Sequence, residues 1–423
     1  MSLNSLFVGS SGLTTNSSAL DVIGNNLANI NTTGYKGQRI LFKDVVYQTL
    51  STGSGSSTTV GGTNPTQVGY GVGVGSIGTL FAQGNLNPTG RSLDAGIQGT
   101  GFFVLRDGQA PVFSRAGIFG VDSSGFLVDP GTGFRVQRFG AVGEGSATDP
   151  VFQVAGNLDI QIPFGSGAAG FATTEARIQG NLSSSSLLGE FATTAIQVYD
   201  SQSTPRALTV TFTKTATPNE YLVSANISGG TVTFAPGADI VTFDERGLLV
   251  GAGPVTLGAI VTGIPGITTA QTINLVLGNG GTASGVTQFG GVTTVSAIGQ
   301  DGSGFGTLSD VAIDSEGIIQ GKFTNGRTLS LAQLAIAGFN NEDGLLRSGS
   351  NYFRSSVASG EALVGIAGQG GRGNVQGGAL EAANVDIAVE FSRLIVAQRG
   401  FQVNARTIST ANETLQELAN ILR

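Results

Sequence analysis

The stretch Leu380-Glu-Ala-Ala-Asn-Val-Asp-Ile387-Ala-Val-Glu-Phe-Ser-Arg-Leu394-Ile-Val-Ala-Gln-Arg-Gly-Phe401-Gln-Val-Asn-Ala-Arg-Thr-Ile408-Ser-Thr-Ala-Asn-Glu-Thr-Leu415-Gln-Glu-Leu-Ala-Asn-Ile-Leu422 carries an apolar residue at every seventh position. That spacing draws one apolar stripe along an α-helix, and only another helix can cover it. At 1.5 Å per residue it predicts a helix about 64 Å long, far beyond the usual 11–12 residues and too long to fold over one compact domain. The other end of the chain carries the same repeat, with Leu6, Leu13, Leu20 and Leu27 seven apart and Ile23 and Ile30 three after the last two, and is the expected partner. Between the stripes stand mostly Ala, Asn, Ser, Thr and Gln, with few i,i+4 charge pairs to support a lone helix. Gly9, Gly12, Gly24 and Gly400 each cost about 1 kcal/mol relative to Ala. The two ends therefore predict a paired helical unit that needs partners on several sides, an assembly element rather than ordinary core.

Everything between the ends reads as β. Ala207-Leu-Thr-Val-Thr-Phe-Thr, Thr231-Val-Thr-Phe and Gln271-Thr-Ile-Asn-Leu-Val-Leu alternate with a period of two and are rich in β-branched residues. A turn unit recurs three times, as Asp122-Ser-Ser-Gly125, Asp244-Glu-Arg-Gly247 and Asp314-Ser-Glu-Gly317. In each, Asp can cap the turn through nearby backbone and Gly can take the left-handed position, so each predicts a hairpin. Ser51 to Gly62 is low in complexity and reads as a flexible loop or linker. The fold class is mainly β, with antiparallel β domains inserted between terminal helices that pair as a coiled-coil-like assembly domain.

Composition removes much chemistry. The 423 residues include no His and no Cys, so neither a His-activated nucleophile nor a thiolate is available, and zinc loses its two usual ligand types. A net charge of -7 without a basic run argues against nucleic acid. Gly71-Val-Gly-Val-Gly75 lacks the strand–loop–helix context and lysine of a phosphate loop. The Asp-x-x-Gly turns offer too few carboxylates for calcium. A glycosidase pair such as Asp244 with Glu316 is not excluded by spacing alone, although sugar-stacking aromatics are scarce: there is no Trp and only six Tyr. No catalytic, metal or cofactor residue is assigned. No uninterrupted apolar stretch reaches membrane-spanning length, and the first residues lack the basic region of a secretory signal, so a cytosolic protein or one exported by another route is expected.

One stretch is recognisable, Ala19-Leu-Asp-Val-Ile-Gly-Asn-Asn-Leu-Ala-Asn-Ile-Asn-Thr-Thr-Gly-Tyr-Lys36. It closely resembles the motif shared by the axial rod and hook proteins of the bacterial flagellum. Leu380 to Glu390, Gln398-Arg-Gly-Phe401 and Ile408-Ser-Thr-Ala-Asn resemble the family's C-terminus. Phe81-Ala-Gln-Gly, Leu93 to Phe103 and Phe323-Thr-Asn-Gly-Arg327 follow in the family's order. About 140 residues near 148–290, containing Val198-Tyr-Asp-Ser201 and Leu208 to Lys214, look like the outer domain that hook members carry and the shorter rod members lack. Gly400-Phe401, where Ala-Tyr is commoner, and the Ser/Asn-rich first helix depart from the family pattern.

The resemblance implies a structural subunit that polymerises with its own copies into a curved, hollow, torque-transmitting tube. Implied partners are the distal rod protein, the cap and the filament-junction proteins, and the flagellar type III export apparatus, with no membrane insertion. A distal rod protein, or a β-rich surface adhesin or fibre, is the alternative. The expected assembly interface comprises Leu6, Leu13, Leu20, Ile23, Asn25, Asn26, Leu27, Asn29, Leu380, Ile387, Leu394, Gln398, Arg399, Phe401, Ile408, Leu415 and Leu422. The expected division is a helical unit at 1–33 plus 378–423, a connecting segment at 34–90, an inner β domain at 91–147 plus 291–365, and an outer β domain at 148–290.

Overall fold

A computed structural model describes residues 4–56, 58–108, 110–146, 150–165, 167–168 and 170–421. Helix α1 spans Asn4–Ala28 and helix α2 spans Ile387–Ile421, and the two lie side by side while the chain between them is almost wholly strands and turns. The α2 start corrects the seven-residue reading. Leu380 is not helical: it sits in the strand Ala379–Glu381, paired with Leu86–Pro88. The helix begins where Asp386 Oδ1 accepts hydrogen bonds from the backbone N–H groups of Ala388 and Val389, at 2.8 and 3.1 Å, a capping arrangement that fixes an N-terminus locally. Its 35 residues make it about 52 Å long. Leu422 lies outside the described residues.

From α1 the chain runs into a two-stranded ribbon: Gln38–Asp44 pairs with Val72–Thr79, and Tyr47–Ser51 with Thr66–Gly69. The low-complexity stretch is the tip of this hairpin, pinned by a bridge between Ser54 and Thr63. Gly71 to Gly75 enters the returning strand.

Two β bodies follow, each with its own core. In the first, the strand Phe102–Arg106 sends alternate side chains to opposite faces. Phe103 and Leu105 join a large core with Ile97, Ile160, Leu331 and Val375. Phe102 and Val104 join a smaller aromatic core with Phe113, Phe353 and Phe81. The second body packs a four-stranded antiparallel sheet (Phe191–Tyr199, Pro205–Lys214, Glu220–Ile227, Ile240–Thr242) and a six-stranded sheet around Phe212, Tyr221, Ile273 and Leu275. The alternating segments read from sequence are strands here, at Pro205–Lys214, Thr231–Phe234 and Gln271–Asn279.

All three Asp-x-x-Gly units are tight turns. One carboxylate oxygen of Asp122, Asp244 and Asp314 accepts from two backbone N–H groups in each case, at 2.8–3.0 Å. Gly125, Gly247 and Gly317 take φ of +84°, +79° and +75°. Asp244 belongs to the second body and Glu316 to the first, so the carboxylate pair considered above does not share one β body.

The cores also relocate the boundaries. The expected boundary at 147/148 lies outside the described residues. Ile160, Ile162 and Ala168 pack in the first core although the sequence reading put them in the outer unit. Val295 packs in the second core, and Thr287 and Phe289 are held by Asn181, so the chain has not returned to the first body at 291. The last contributor to the first core is Val375, beyond the expected limit of 365. Residue type carried no boundary signal here because both bodies use the same alternating strands and glycine turns.

Candidate assembly site

The helix pair is antiparallel, since Gly9 faces Ile408, Gly12 faces Asn404, Asn16 faces Gly400 and Asn26 meets Glu390. Small residues, not leucines, make the closest approach. A Cβ added at Gly12 would stand 2.6 Å from the Asn404 side chain, and one at Gly400 would stand 2.6 Å from Asn16 Oδ1. The arrangement is reciprocal. Asn16 Nδ2 donates to the Gly12 carbonyl at 2.7 Å and Asn404 Nδ2 donates to the Gly400 carbonyl at 2.9 Å, so each asparagine is tied to its own helix while lying against the other's glycine. At Gly9, Gly12 and Gly400 the propensity cost is thus exchanged for interhelical approach. Gly24 has nothing within 4 Å and keeps only the cost.

Among the expected interface residues, Ile23 is buried with Ala19 and Ala397, and Leu20, Leu27 and Leu394 pack half-buried against them. Leu6, Leu13, Ile408 and Leu415 are half-buried. Ile387 and Phe401 are exposed, as are Gln398 and Arg399, the latter donating to Gln402 at 3.4 Å. The heptad leucines therefore flank the contact rather than form its centre. Leu380 belongs to the junction below the helices. Glu390, which lies off the heptad stripe, is buried and accepts from Asn26 Nδ2 at 3.3 Å and Arg393 Nη1 at 2.6 Å. Sequence reasoning missed this contact and the glycine contacts alike. The signal was the repeated Gly-x-x-x-Asn at 12–16 and 400–404.

The Asn25-Asn26…Tyr35-Lys36 motif is what fastens the helix pair to the rest of the chain. Asn26 accepts through Oδ1 from Gln38 N at 2.8 Å and from the Tyr35 hydroxyl at 3.2 Å, and donates to the Gln38 carbonyl at 2.8 Å. Asn25 donates to the Tyr35 hydroxyl at 3.2 Å, and Asn29 donates back to the Asn25 carbonyl at 2.9 Å. From the C-terminal side, Asn384 Oδ1 accepts from Gly37 N at 2.7 Å while its Nδ2 donates to the carbonyls of Leu80 and Ala82. Burial pushes the Tyr35 hydroxyl above its ordinary range.

At the centre Lys36 and Glu381 meet at 2.7 Å with both side chains essentially out of solvent, and Arg115 of the first β body approaches Glu381 Oε2 at 3.5 Å. Glu381 Oε1 also accepts from Gly84 N at 2.7 Å, and Lys36 Nζ donates to the Ala82 carbonyl at 2.9 Å. Burial lowers the pKa of both Lys36 and Arg115, with Glu381 opposing the shift, and raises that of nearby Glu342. Arg115 rests on the Phe102 ring, and Arg347 reaches the Lys36 carbonyl and lies over Tyr35 and Phe353. One buried carboxylate thus ties the helix exit, the 80s segment, the return strand and the β body together.

A helix pair flanked by a β ribbon and fixed through a buried ionic junction to two β bodies fits a structural subunit of an axial assembly. Family profiles agree along the chain. Residues 6–36 match "Flagella basal body rod protein", 188–303 match "Flagellar basal body protein FlaE D2 domain", and 376–421 match "Flagellar basal body rod FlgEFG protein C-terminal". The chain is 36% identical to the flagellar hook protein FlgE of Treponema pallidum, with 100% of each chain covered, and 35% identical to that of Borreliella burgdorferi, with 99% of each covered. Identity to the flagellar basal-body rod protein FlgG of Bacillus subtilis is 29%, with 100% of each covered. The chain belongs to the flagellar hook protein family. Among the described residues no helix is long and apolar enough to cross a membrane.

Proposed function

We propose that this chain polymerises with its own copies into the short curved tube of the hook, coupling rod to filament and transmitting motor torque as a universal joint. The terminal helices line the central channel and hold the tube together, and the two β bodies stack outward. The observation that carries this reading is the helix pair itself. It covers one face of each helix and leaves Phe7, Ile387, Phe391, Ile395, Val396 and Val403 exposed, an apolar surface that a monomer has no use for.

The division that supports the reading is α1 with α2, an inner β body, and an outer body running from strand Glu175–Asn181 to strand Ser296–Gln300. With 12% charged residues, neighbouring β bodies can slide without breaking strong ion pairs, as a bending, rotating polymer requires. The remaining elements of the reading are attachment to the distal rod protein, the cap and the filament-junction proteins, and passage through the flagellar type III export apparatus to an extracellular position without a cleaved signal. Negative-stain microscopy of the polymerised full-length protein tests it. Short curved tubes are expected; straight rods indicate a rod subunit, and absence of any polymer removes the assembly reading.

A further inference from the structure

The helix pair has two apolar edges of different shape. On one, Val22 of α1, Val389 and Val396 of α2, and Ile40 and Phe42 of the ribbon enclose an open groove of about 580 Å³ whose floor includes Ala19 and Ala397. On the other, Ile387, Phe391 and Ile395 stand four apart on α2, a single ridge with each residue about half exposed. Phe391 and Val396 are five residues apart, which at 100° per residue sets them about 140° apart around α2. Ridge and groove therefore face away from each other on one chain. No described element of the same chain covers either.

We infer that the groove of one subunit receives the Ile387–Phe391–Ile395 ridge of a second copy of this chain. The inference rests on the assembly reading and specifies its contact. Complementary surfaces on opposite edges make a heterologous, head-to-tail contact, which repeats through a ring or helix and leaves neither surface bare in the interior. A two-fold contact, groove on groove, would close at a dimer and leave both ridges in water. The chemistry also matches, since the ridge has no ionisable side chain and the groove is lined mainly by aliphatic residues with Arg39, Arg393 and Glu390 among the polar ones.

The chain's lack of cysteine makes the test clean. Two full-length variants, Phe391→Cys and Val396→Cys, one carrying a size tag, are mixed equally, polymerised and treated with a short bismaleimide. Mixed dimers in several-fold excess over both like dimers are expected. Like dimers in the majority, or no cross-link in polymer that microscopy shows to be intact, overturn the inference and leave the hook reading standing. Only failure of the unmodified protein, polymerised alongside, bears on that reading. Val396→Trp, which fills the groove, gives an independent readout: polymer is lost while circular dichroism of the monomer is unchanged. Normal tubes from Val396→Trp overturn the inference.

Discussion

Replacing Glu381 by Gln isolates the buried junction. In the native protein two cations, Lys36 and Arg115, share one carboxylate, and all three side chains are at most 1% exposed. Gln keeps the volume and can still accept from Gly84 N, so neither a cavity nor an orphan amide arises. What disappears is the one carboxylate within 4 Å of both buried cations among the described residues; Glu342 acts on them only from farther away. Removing one partner of a buried pair costs about 3–5 kcal/mol, because the charge left behind is not solvated. Lys36→Met is milder, since it leaves Glu381 facing Arg115 and the Ala82 carbonyl still accepting from Asn384 at 2.8 Å. With total stability typically about 5–15 kcal/mol, the Gln variant should open the junction before the β cores melt. Amide exchange on the monomer is the assay. Gly84 and Gly34, whose N–H groups bond the Glu381 side chain and carbonyl at 2.7 Å, should lose protection by two orders of magnitude or more, while amides of the second β body hold theirs. A change under about tenfold, which is 1.4 kcal/mol, or an equal effect from Lys36→Met, would refute the account of one anion holding two buried cations.

Gly12→Leu should separate the helices, because even a Cβ meets Asn404; a fall in helical circular dichroism and loss of polymer are expected with both β cores intact. Gly24→Ala, with free space around it, should instead raise helix stability by about 0.5–1 kcal/mol in a thermal melt. Glu390→Gln should cost about 1.5–3 kcal/mol through its bonds to Asn26 and Arg393, with Leu394→Asp costing more; urea titration orders the two. At Asp200, burial alone would raise the pKa, but bonds from Arg206, Thr204 and Gln202 outweigh it and hold the carboxyl below its ordinary range. The folded value lies below the unfolded one, so this stabilisation is present above the unfolded pKa of about 3.9 and fades as pH falls through the folded value. Asp200→Asn should therefore destabilise the second β body at neutral pH and converge with the parent in acid, as read by fluorescence-monitored unfolding of its tyrosines.

The sequence alone determined what neighbouring residues decide. The Asp-x-x-Gly turns were legible because Asp122, Asp244 and Asp314 bond to amides two and four residues away, and the strands because alternation is a local period. The terminal helices were legible in their stripes, and the Asn25-Asn26…Tyr35-Lys36 motif in its spelling. Tertiary structure alone decided which helix face is covered. A period of seven marks where apolar residues fall but not which side of the stripe meets the partner, and here glycines at 9, 12 and 400 allow an approach that leaves the leucines at the flank. The end of the helical reading at Leu380 was likewise hidden, because strand pairing with Leu86–Pro88 overrode a spacing that continued by one repeat. The charged junction could not be read at all, since Lys36 and Glu381 stand 345 residues apart and become partners only when burial removes the water that would otherwise solvate each of them separately.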